Sequence, residues 1–459
     1  MEKQEVKSIL EAQKRFIAEG KMLSINYRIE LLKQLKSLIL RYEPEIIRSL
    51  WEDFHKPEFE VIVSETRLVI MELNHTLRNL KSWSRKKRVR TPLVHFLSWS
   101  YLKPQPYGQV LILSPWNYPF QLAFVPLIGA IAAGNSVVLK MSQRVPCTMA
   151  VMEKLLENLP REIVAMVNGD HSLSDFLLEQ KFDYIFFTGS PEIGKHVAKI
   201  AAENLTPFSL ELGGKNPCLV ASDARLDFAA KRIAWGKFLN AGQSCVAPDY
   251  VLVDRRIKSQ FLFNLKNEIE KFCGENPETC DHFCRVISRD NVRKLALMMM
   301  SGTVITGGKT NEDGRYVAPT VISDLRISDP AMQEEIFGPL LPVVEFDDLM
   351  EAYTIMRQTG KSLSSYIFSQ NSRLIREFIN RTESGSVAVN DNVIQFVSPY
   401  LPFGGVGKSG TGRYHGRKSF ETFSNMRSVI VKSNLFDLPL RYPPYSRVMT
   451  RFVKWIMSL

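Results

Sequence analysis

Cysteine is scarce in this chain, with six residues among 459. A disulfide framework needs far denser cysteine, and no signal-peptide pattern occurs at Met1–Leu10. These two absences predict a reducing compartment, with the cytoplasm as the expected location. Cys280 and Cys284 flank His282, but no second ligand pair follows at zinc spacing and there is no His-Glu-x-x-His motif. We therefore expect no metal site.

Standard nucleotide-binding motifs are also missing. The segment Gly189-Ser-Pro-Glu-Ile-Gly-Lys195 resembles a phosphate-binding loop, but His196 stands where such a loop needs Ser or Thr to hold magnesium. The segment does not fit Gly-x-Gly-x-x-Gly either. What remains is a helix start after an apolar strand, which is either a structural turn or a site where free backbone amides hold an anion.

The composition is that of an ordinary globular protein, with an excess of positive charge. Hydrophobic residues make up 45% and charged residues 23%, and the net charge is +11. There is no internal repeat or low-complexity linker, and the length is enough for two or three domains. The basic cluster at 81–90 is typical of a solvated helix end or connector, so we predict no nucleic-acid partner.

The C-terminal segment 436–459 predicts a basic amphipathic helix. Its apolar residues recur at helical spacing beside cations; they are Val448, Phe452, Trp455, Ile456 and Leu459, next to Arg447, Arg451 and Lys454. The segment is shorter than the roughly 20 apolar residues that span a bilayer. Two interpretations stay open, namely an interfacial helix in the headgroup plane, which makes the protein peripheral at a membrane, and docking on the protein's own surface or a partner subunit.

Helices alternate with short apolar strands along most of the chain, which predicts a parallel α/β fold. Residues 1–85 have a helical pattern. Strands are then expected at 98–113, 136–140 and 182–188, and after a boundary near 211–215 again at 216–220 and 250–253, before a helix at 261–272. The restart indicates a second α/β domain.

Cys245 is the strongest candidate for covalent chemistry. It follows Gly242, Gln243 and Ser244, which allow a sharp turn and leave an amide N–H near the sulfur. Glu211 stands upstream in Glu211-Leu-Gly-Gly-Lys215, so a thiol and a carboxylate base can meet at the domain boundary. The alternatives are an inert buried cysteine and a capping or salt-bridged acid.

Seven motifs, taken together, resemble one family. They occur in the order found in aldehyde dehydrogenases: Ser114-Pro-Trp-Asn-Tyr-Pro119, Leu139-Lys-Met-Ser142, Phe187-Thr-Gly-Ser190, Glu211-Leu-Gly-Gly-Lys-Asn-Pro217, Gly242-Gln-Ser-Cys-Val-Ala-Pro248, Glu334-Glu-Ile-Phe-Gly-Pro339 and Leu401-Pro-Phe-Gly-Gly-Val-Gly407. The resemblance covers nearly the whole chain. The Cys-Val-Ala-Pro-Asp-Tyr form and the ending Phe-Glu-Thr-Phe-Ser resemble the class 3 branch, which includes fatty aldehyde dehydrogenases.

The resemblance implies an aldehyde dehydrogenase-like α/β fold. A Rossmann-type cofactor domain is expected at 1–89 and 107–211, and an α/β catalytic domain at 212–406. A small β oligomerisation extension is expected at 90–106 and 407–435, followed by the tail at 436–459. Relatives in this branch imply a homodimer.

The resemblance also implies the reaction. Cys245 would attack an aldehyde, with the side chain of Asn117 and the N–H of Cys245 holding the oxyanion. Oxidation would leave a thioester, which Glu211 would hydrolyse as a general base, giving the carboxylate. A CoA-dependent acylating enzyme and a silent membrane-associated binding protein are the alternatives; the presence of Glu211 argues against the first and the complete catalytic set against the second.

NAD, NADP or both are the implied cofactors. By the resemblance they would be held by Trp116, Lys140, Ser142, Gln143, Gly189, Ser190, Gly194, Leu212, Glu335 and Phe337. Gln143 departs from the glutamate common at this position, which would bond the ribose 2′-hydroxyl and repel a 2′-phosphate. We therefore expect NADP to be used at least as readily as in relatives that carry the acid.

Apolar side chains near the implied site favour a hydrophobic substrate. Tyr118, Ile394 and Phe396 would line an apolar entrance in such a fold, which favours medium- or long-chain aliphatic and aromatic aldehydes. The alternative is that these side chains simply pack in the core.

Overall fold

The computed structural model describes residues 1–274, 276–437 and 442–458. Arg441 and Leu459, which the sequence assigns to the C-terminal segment, lie outside the described residues, as does the side chain of Ile456.

The N-terminal region is helical, as its pattern predicts. Four helices cover it: α1 (Lys3–Ala18), α2 (Ile25–Phe54), α3 (Glu58–Val61) and α4 (Arg67–Trp83). A π-helical segment, Ile62–Thr66, joins α3 to α4. The apolar faces of α2 and α4 pack against the first sheet in one large core cluster. This packing stabilises the helices, because an isolated helix of ordinary length is marginal in water.

The chain then builds a first, mostly parallel sheet. Two strands of the later antiparallel sheet come first, β1 (Lys87–Val89) and β2 (Ser98–Pro106). The first sheet's units are β3 (Gln109–Ser114), α5 (Gln121–Ala133), β4 (Ser136–Met141), α6 (Pro146–Leu156), β5 (Val164–Met166), α7 (His171–Glu179), β6 (Tyr184–Gly189), α8 (Pro191–Glu203) and β7 (Phe208–Leu212). The parallel order is β7-β6-β3-β4-β5, so the order reverses between β3 and β6.

A second, seven-stranded sheet begins at Pro217. Its units are β8 (Pro217–Val220), α9 (Leu226–Phe238), β9 (Tyr250–Asp254), α10 (Lys258–Cys273), α11 (Arg289–Met299), β10 (Thr303–Thr306), β11 (Thr310–Asn311), β12 (Tyr316–Val317), β13 (Thr320–Ser323), α12 (Pro330–Gln333), β14 (Leu340–Phe346), α13 (Leu349–Thr359), β15 (Ser362–Phe368), α14 (Ser372–Arg381) and β16 (Ser384–Val389). The order is β10-β13-β14-β9-β8-β15-β16, with β10 antiparallel, and β11 pairs with β12 apart from this sheet.

The remaining elements are β17 (Gly410–Thr411), α15 (Arg417–Thr422), β18 (Ser424–Lys432) and α16 (Arg447–Met457). β18 pairs antiparallel with the whole of β2, and β1 completes a three-stranded sheet. β17 instead pairs with β7, and α15 packs on α5. Residues 410–422, which the sequence analysis assigned to the extension, therefore contact the first sheet in this chain.

The predicted α/β fold is confirmed: two largely parallel sheets are covered by helices, and a small antiparallel sheet extends from them. No helix within the described residues combines the length and the apolar character that crossing a bilayer requires. The C-terminal α16 forms as predicted, beside the turn at 93–95.

Candidate active site

The chain reverses direction sharply just before Cys245. Asn240, Ala241 and Gly242 have consecutive φ values of 52°, 51° and 69°. A left-handed conformation costs a non-glycine residue about 1–2 kcal/mol, and such strain concentrates at functional sites. The Gln243 side chain holds the turn, because its Nε2 donates to the carbonyls of Asn240 (3.1 Å) and Arg285 (3.0 Å).

The backbone after Cys245 is held equally firmly. Asn216 Nδ2 donates to the carbonyl oxygens of Cys245 (2.7 Å) and Ala247 (3.0 Å), and the Tyr366 hydroxyl donates to that of Val246. Asn216 Oδ1 accepts from the N–H of Ser364 at 2.9 Å, which ties the segment to β15. The N–H of Cys245 lies against its own sulfur. When a carbonyl carbon bonds to this sulfur, the oxyanion on that carbon would therefore lie near this N–H.

Asn117 is joined directly to the turn that carries Cys245. It follows β3, it is 3% exposed, and its Nδ2 donates to the Gln243 carbonyl at 3.1 Å. Asn240 Nδ2 donates to the carbonyls of Asn117 (2.9 Å) and Gln243 (3.2 Å). The structure thus brings Asn117 and Cys245 together, as the sequence predicts. Asn240 was not predicted from the sequence, where its signal was its place just before the Cys245 motif.

Glu211 lies in β7, buried between β6 and β17. Burial raises the pKa of its carboxyl to about 8, although the Gly405 backbone N–H and the positive charge of Arg413 oppose the shift. Its Oε1 atom has no hydrogen-bond partner within the described residues. A buried acceptor without a partner in the free chain is suited to taking a proton from a water molecule.

The thiol of Cys245 is half-buried, and its pKa is raised first by burial and then by the negative charges of Glu211 and Glu335. Both carboxylates, when charged, therefore disfavour the thiolate. In the free chain, Cys245 therefore carries its proton at neutral pH.

Glu335 and Phe337 reach the site from the loop before β14. Glu335 is half-buried over Gly213: a β-carbon on Gly213 would stand 1.9 Å from Glu335 Oε2. Phe337 has a φ of 48°, and its ring meets that of Trp116 edge to face, with the centroids 5.4 Å apart. The structure thus places Trp116, Glu335 and Phe337 together at the seam between the two sheets.

Lys215 holds this loop, a role that the sequence analysis did not predict. Its buried Nζ bonds to the carboxylate of Asp249 and to the carbonyls of Ala331 (2.7 Å) and Glu334 (2.9 Å). Asp249 Oδ1 in turn accepts the N–H of Ile336 at 3.0 Å. The signal was a lysine inside a Gly-Gly-Lys motif, where the charge needs a buried partner.

The carboxyl ends of β3, β4, β6 and β7 lie beside the reversal of strand order. Open α/β sheets bind ligands at such a point. The buried hydroxyls of Ser114 and Thr188 at this edge have no partner within the described residues. Ser190 caps α8, its Oγ accepting from Ile193 N at 3.4 Å, and the first amides of this 13-residue helix are suited to an anion.

The remaining predicted cofactor residues lie along the same edge. Gly194 packs α8 against β7, since a β-carbon there would be 2.6 Å from Leu212. Lys140, at the end of β4, is buried, which lowers its pKa, and it donates to Met141 O at 3.2 Å. Ser142 is half-buried and Gln143 is exposed just beyond β4. These residues fit a bound nicotinamide dinucleotide.

The three predicted substrate residues occupy different positions. Ile394 is 49% exposed. The ring of Phe396 packs against that of Phe403, with the two centroids 6.3 Å apart. Tyr118 is buried instead, with its hydroxyl facing Ser244 and its ring face covered by Lys56 Nζ at 3.9 Å. Tyr118 therefore contacts the turn that precedes Cys245.

In the part of the chain that the structure describes, no three His, Cys, Asp or Glu side chains are grouped to hold a metal ion. The backbone N–H of His282 points at Cys280 Sγ, at 3.4 Å.

Comparison with known proteins identifies the family of this chain. Residues 1–429 match the profile of the aldehyde dehydrogenase family. The chain is 42% identical to mouse aldehyde dehydrogenase family 3 member B1 over 431 residues, covering 93% of this chain and 92% of that protein. It is 39% identical to the Staphylococcus aureus 4,4'-diaponeurosporen-aldehyde dehydrogenase over 435 residues, 94% of this chain and 95% of the relative.

A solved structure titled as the substrate-bound state of Staphylococcus aureus AldH superimposes with a TM-score of 0.96 at 37% identity, covering 98% of this chain and 99% of that one. The chain therefore belongs to the aldehyde dehydrogenase family, and it is an NAD(P)-dependent oxidoreductase that resembles family 3 members.

Proposed function

We propose that Cys245 is the nucleophile of this aldehyde dehydrogenase, that Asn117 and the N–H of Cys245 stabilise the oxyanion, and that Glu211 is the general base. One observation carries the proposal: Asn117 Nδ2 is bonded to Gln243, two residues before a cysteine whose pKa responds to Glu211. This observation supports one site for the nucleophile, the oxyanion donor and the base.

The reaction begins when the Cys245 thiol loses its proton to solvent and the resulting thiolate forms a bond to the aldehyde carbon. The carbonyl electrons move to oxygen, where the Asn117 side chain and the Cys245 N–H donate hydrogen bonds; one such donor contributes about 3–4 kcal/mol of transition-state stabilisation. The bound nicotinamide supplies the hydride acceptor. The thioester that remains on Cys245 is cleaved by water, from which Glu211 takes a proton as the carbon–sulfur bond breaks and the carboxylate leaves.

Replacing the thiol tests this assignment. Cys245→Ala should abolish aldehyde oxidation, while Cys280→Ala, at a half-buried cysteine outside the site, should keep it. Free carboxylate as the product, rather than an acyl-CoA when CoA is added, separates hydrolysis from acyl transfer. Residual turnover by Cys245→Ala would contradict the covalent mechanism.

The proposed cofactor set includes NADP as well as NAD. Trp116, Phe337 and Glu335 would hold the nicotinamide end, and Ser190 with α8 the pyrophosphate. Gln143 would contact the adenosine ribose without the charge of a glutamate, and Arg144 is exposed beside it. A cation next to a neutral amide favours a 2′-phosphate.

The proposed substrates are medium- or long-chain aliphatic and aromatic aldehydes. Ile394 and Phe396 support this choice, because they are apolar and lie on the loop between β16 and β17, near the core cluster that also contacts Cys245. A chain-length series of aldehydes, compared by kcat/KM, tests it; equal values from two to twelve carbons would contradict an apolar entrance.

A homodimer is proposed to form through the antiparallel sheet. Trp99 on β2 and Ile430 on β18 are 50% and 53% exposed, and pairing with a second copy would cover them. Analytical ultracentrifugation tests this, and a monomer at micromolar concentration would contradict it.

The tail is proposed to contact anionic membranes from the cytoplasmic side. Val448 and Trp455 on α16 are 76% and 60% exposed, and Arg447, Arg451 and Lys454 are exposed as well. Leu93, in the turn beside α16, and the adjacent Phe96 add exposed apolar surface. Exposed apolar and cationic side chains together favour an interfacial position.

A further inference from the structure

We propose that Glu60 is a positioning residue for catalysis, because its carboxylate holds the left-handed turn Asn240–Gly242 that presents Cys245. This inference rests on the proposed role of Cys245. Glu60 comes from α3, far from the turn in sequence, and it belongs to none of the motifs that indicate the active site.

The contact is a hydrogen bond at the start of the turn. Glu60 Oε2 accepts the backbone N–H of Asn240 at 2.8 Å. Asn240 is the first of the three residues with positive φ, and α9 has already ended at Phe238. A carboxylate acceptor makes a stronger bond than a neutral one, so it offsets part of the cost of the left-handed backbone.

The Asn240 side chain connects this turn to Asn117, the proposed oxyanion donor. Its Nδ2 bonds to the carbonyls of Asn117 and Gln243, and Asn117 Nδ2 bonds to the same Gln243 carbonyl. A shift of Asn240 would therefore displace both Asn117, the proposed oxyanion donor, and Gln243, which stands two residues before Cys245. Misplacement of about 1 Å at a reacting centre can lower the rate about 100-fold.

Buried charge keeps the Glu60 carboxylate in place. Lys56 Nζ, fully buried, forms an ion pair with Glu65 at 2.7 Å and its positive charge also acts on Glu60. Glu65 lies in the π-helical segment that follows α3, and π-helical turns are frequent at functional sites. Lys56 also covers the ring of Tyr118, whose hydroxyl faces Ser244.

A second side chain faces the same carboxylate. The Cys284 thiol lies 3.5 Å from Glu60 Oε2. Burial raises the pKa of Glu60, and Lys56, the Asn240 N–H and the Cys284 thiol oppose that shift. All three favour a charged Glu60, the state in which it accepts most strongly from Asn240.

Two substitutions distinguish the length of the Glu60 side chain from its charge. Glu60→Asp keeps the charge but withdraws the acceptor by one methylene, whereas Glu60→Gln keeps the reach and an acceptor oxygen without the charge. Glu58→Asp is the matched control, because Glu58 is an exposed acid in the same short helix. All are compared with the wild-type enzyme by kcat, by KM for the cofactor and by the burst of reduced cofactor that precedes thioester hydrolysis.

We expect Glu60→Asp to lower kcat and the burst rate about 10- to 100-fold with little change in the KM for cofactor, and Glu60→Gln to restore the rates to within about threefold of wild type. Glu58→Asp should match wild type. Wild-type rates in Glu60→Asp, or equal impairment of Glu60→Gln and Glu60→Asp, would overturn the positioning role. Turnover by Cys245→Ala would instead overturn the proposed function, so the two failures are distinguishable.

Discussion

Gly242 and Gly338 approach each other so closely that a β-carbon on Gly242 would stand 2.3 Å from the carbonyl oxygen of Gly338. Gly242 belongs to the turn before Cys245, and Gly338 follows Phe337 in the loop that carries Glu335. The absence of a side chain at Gly242 therefore lets the nucleophile's turn pack directly on the loop that we assign to the nicotinamide end.

Gly242→Ala should inactivate the enzyme. Its β-carbon would push against backbone and would also have to adopt a φ of 69°. We expect kcat to fall about 100-fold and stability to fall by roughly 1–3 kcal/mol. Gly20→Ala is the control: Gly20 has a φ of 73°, but a β-carbon would meet only the flexible end of Leu23 at 3.4 Å. It should lose stability and keep kcat; equal kcat in both variants would contradict the packing argument.

Glu211 should make product release by hydrolysis depend on pH. Its pKa of about 8 in the free chain means that the base gains its charge only as the pH rises through that value. We therefore expect kcat to rise between about pH 7 and 9 when hydrolysis limits turnover. Glu211→Gln should keep the burst of reduced cofactor and lose at least about 100-fold in steady-state kcat. A steady-state rate that stays near wild type would rule out Glu211 as the base.

The same carboxyl predicts a stability effect of defined sign. The folded pKa of about 8 lies above the ordinary 4.5, so between these values the folded state keeps a proton that the unfolded chain has lost. The free energy of unfolding attributable to Glu211 is thus largest below pH 4.5 and falls as the pH rises through about 8. Glu211→Gln has no titrating carboxyl at this position, so its free energy of unfolding does not fall in this way. Its Tm should exceed that of wild type at pH 8 by on the order of 5 °C, with a smaller difference at pH 5.

The sequence predicted the fold and most of the site because its signals are local. The apolar run of β3 and the helix start at Pro191 depend on neighbouring residues, and both elements form where the pattern predicts them. Glu211 and Cys245 lie on either side of the boundary between the two sheets, because β7 belongs to one sheet and β8 to the other, a boundary that the restart of the strand–helix pattern had indicated.

The missed features depend on contacts between distant segments. Glu60 and Asn240 are 180 positions apart, and an acid in a short N-terminal helix has the pattern of a solvent-exposed residue. The contact between the Tyr118 ring and the buried Lys56 was missed as well, because a lysine in a helical region gives no local signal that its charge will be neutralised in the core.

Gln143 should govern the choice of cofactor. Gln143→Glu places a negative charge where a ribose 2′-phosphate would lie, so kcat/KM with NADP should fall at least about tenfold, while the value with NAD changes little. Gln180→Glu adds the same charge at the end of α7 and serves as the control. A wild-type enzyme with a strong NAD preference that Gln143→Glu leaves unchanged would contradict the assignment.

The exposed face of α16 should bring the protein to anionic vesicles. Truncation after Pro444 removes the apolar Val448 and Trp455 together with three cations, and we expect binding to phosphatidylserine-containing vesicles to fall at least about tenfold, since each cation near such a surface contributes about 1 kcal/mol. Trp455→Ser should lower binding while Thr450→Ser, at another exposed position of the helix, should not. Vesicle pelleting at low and high salt measures the electrostatic share. If the truncated and full-length chains partition equally, the helix does not contact the membrane, and docking on a second subunit becomes the interpretation to test, through loss of the dimer in the same truncated chain.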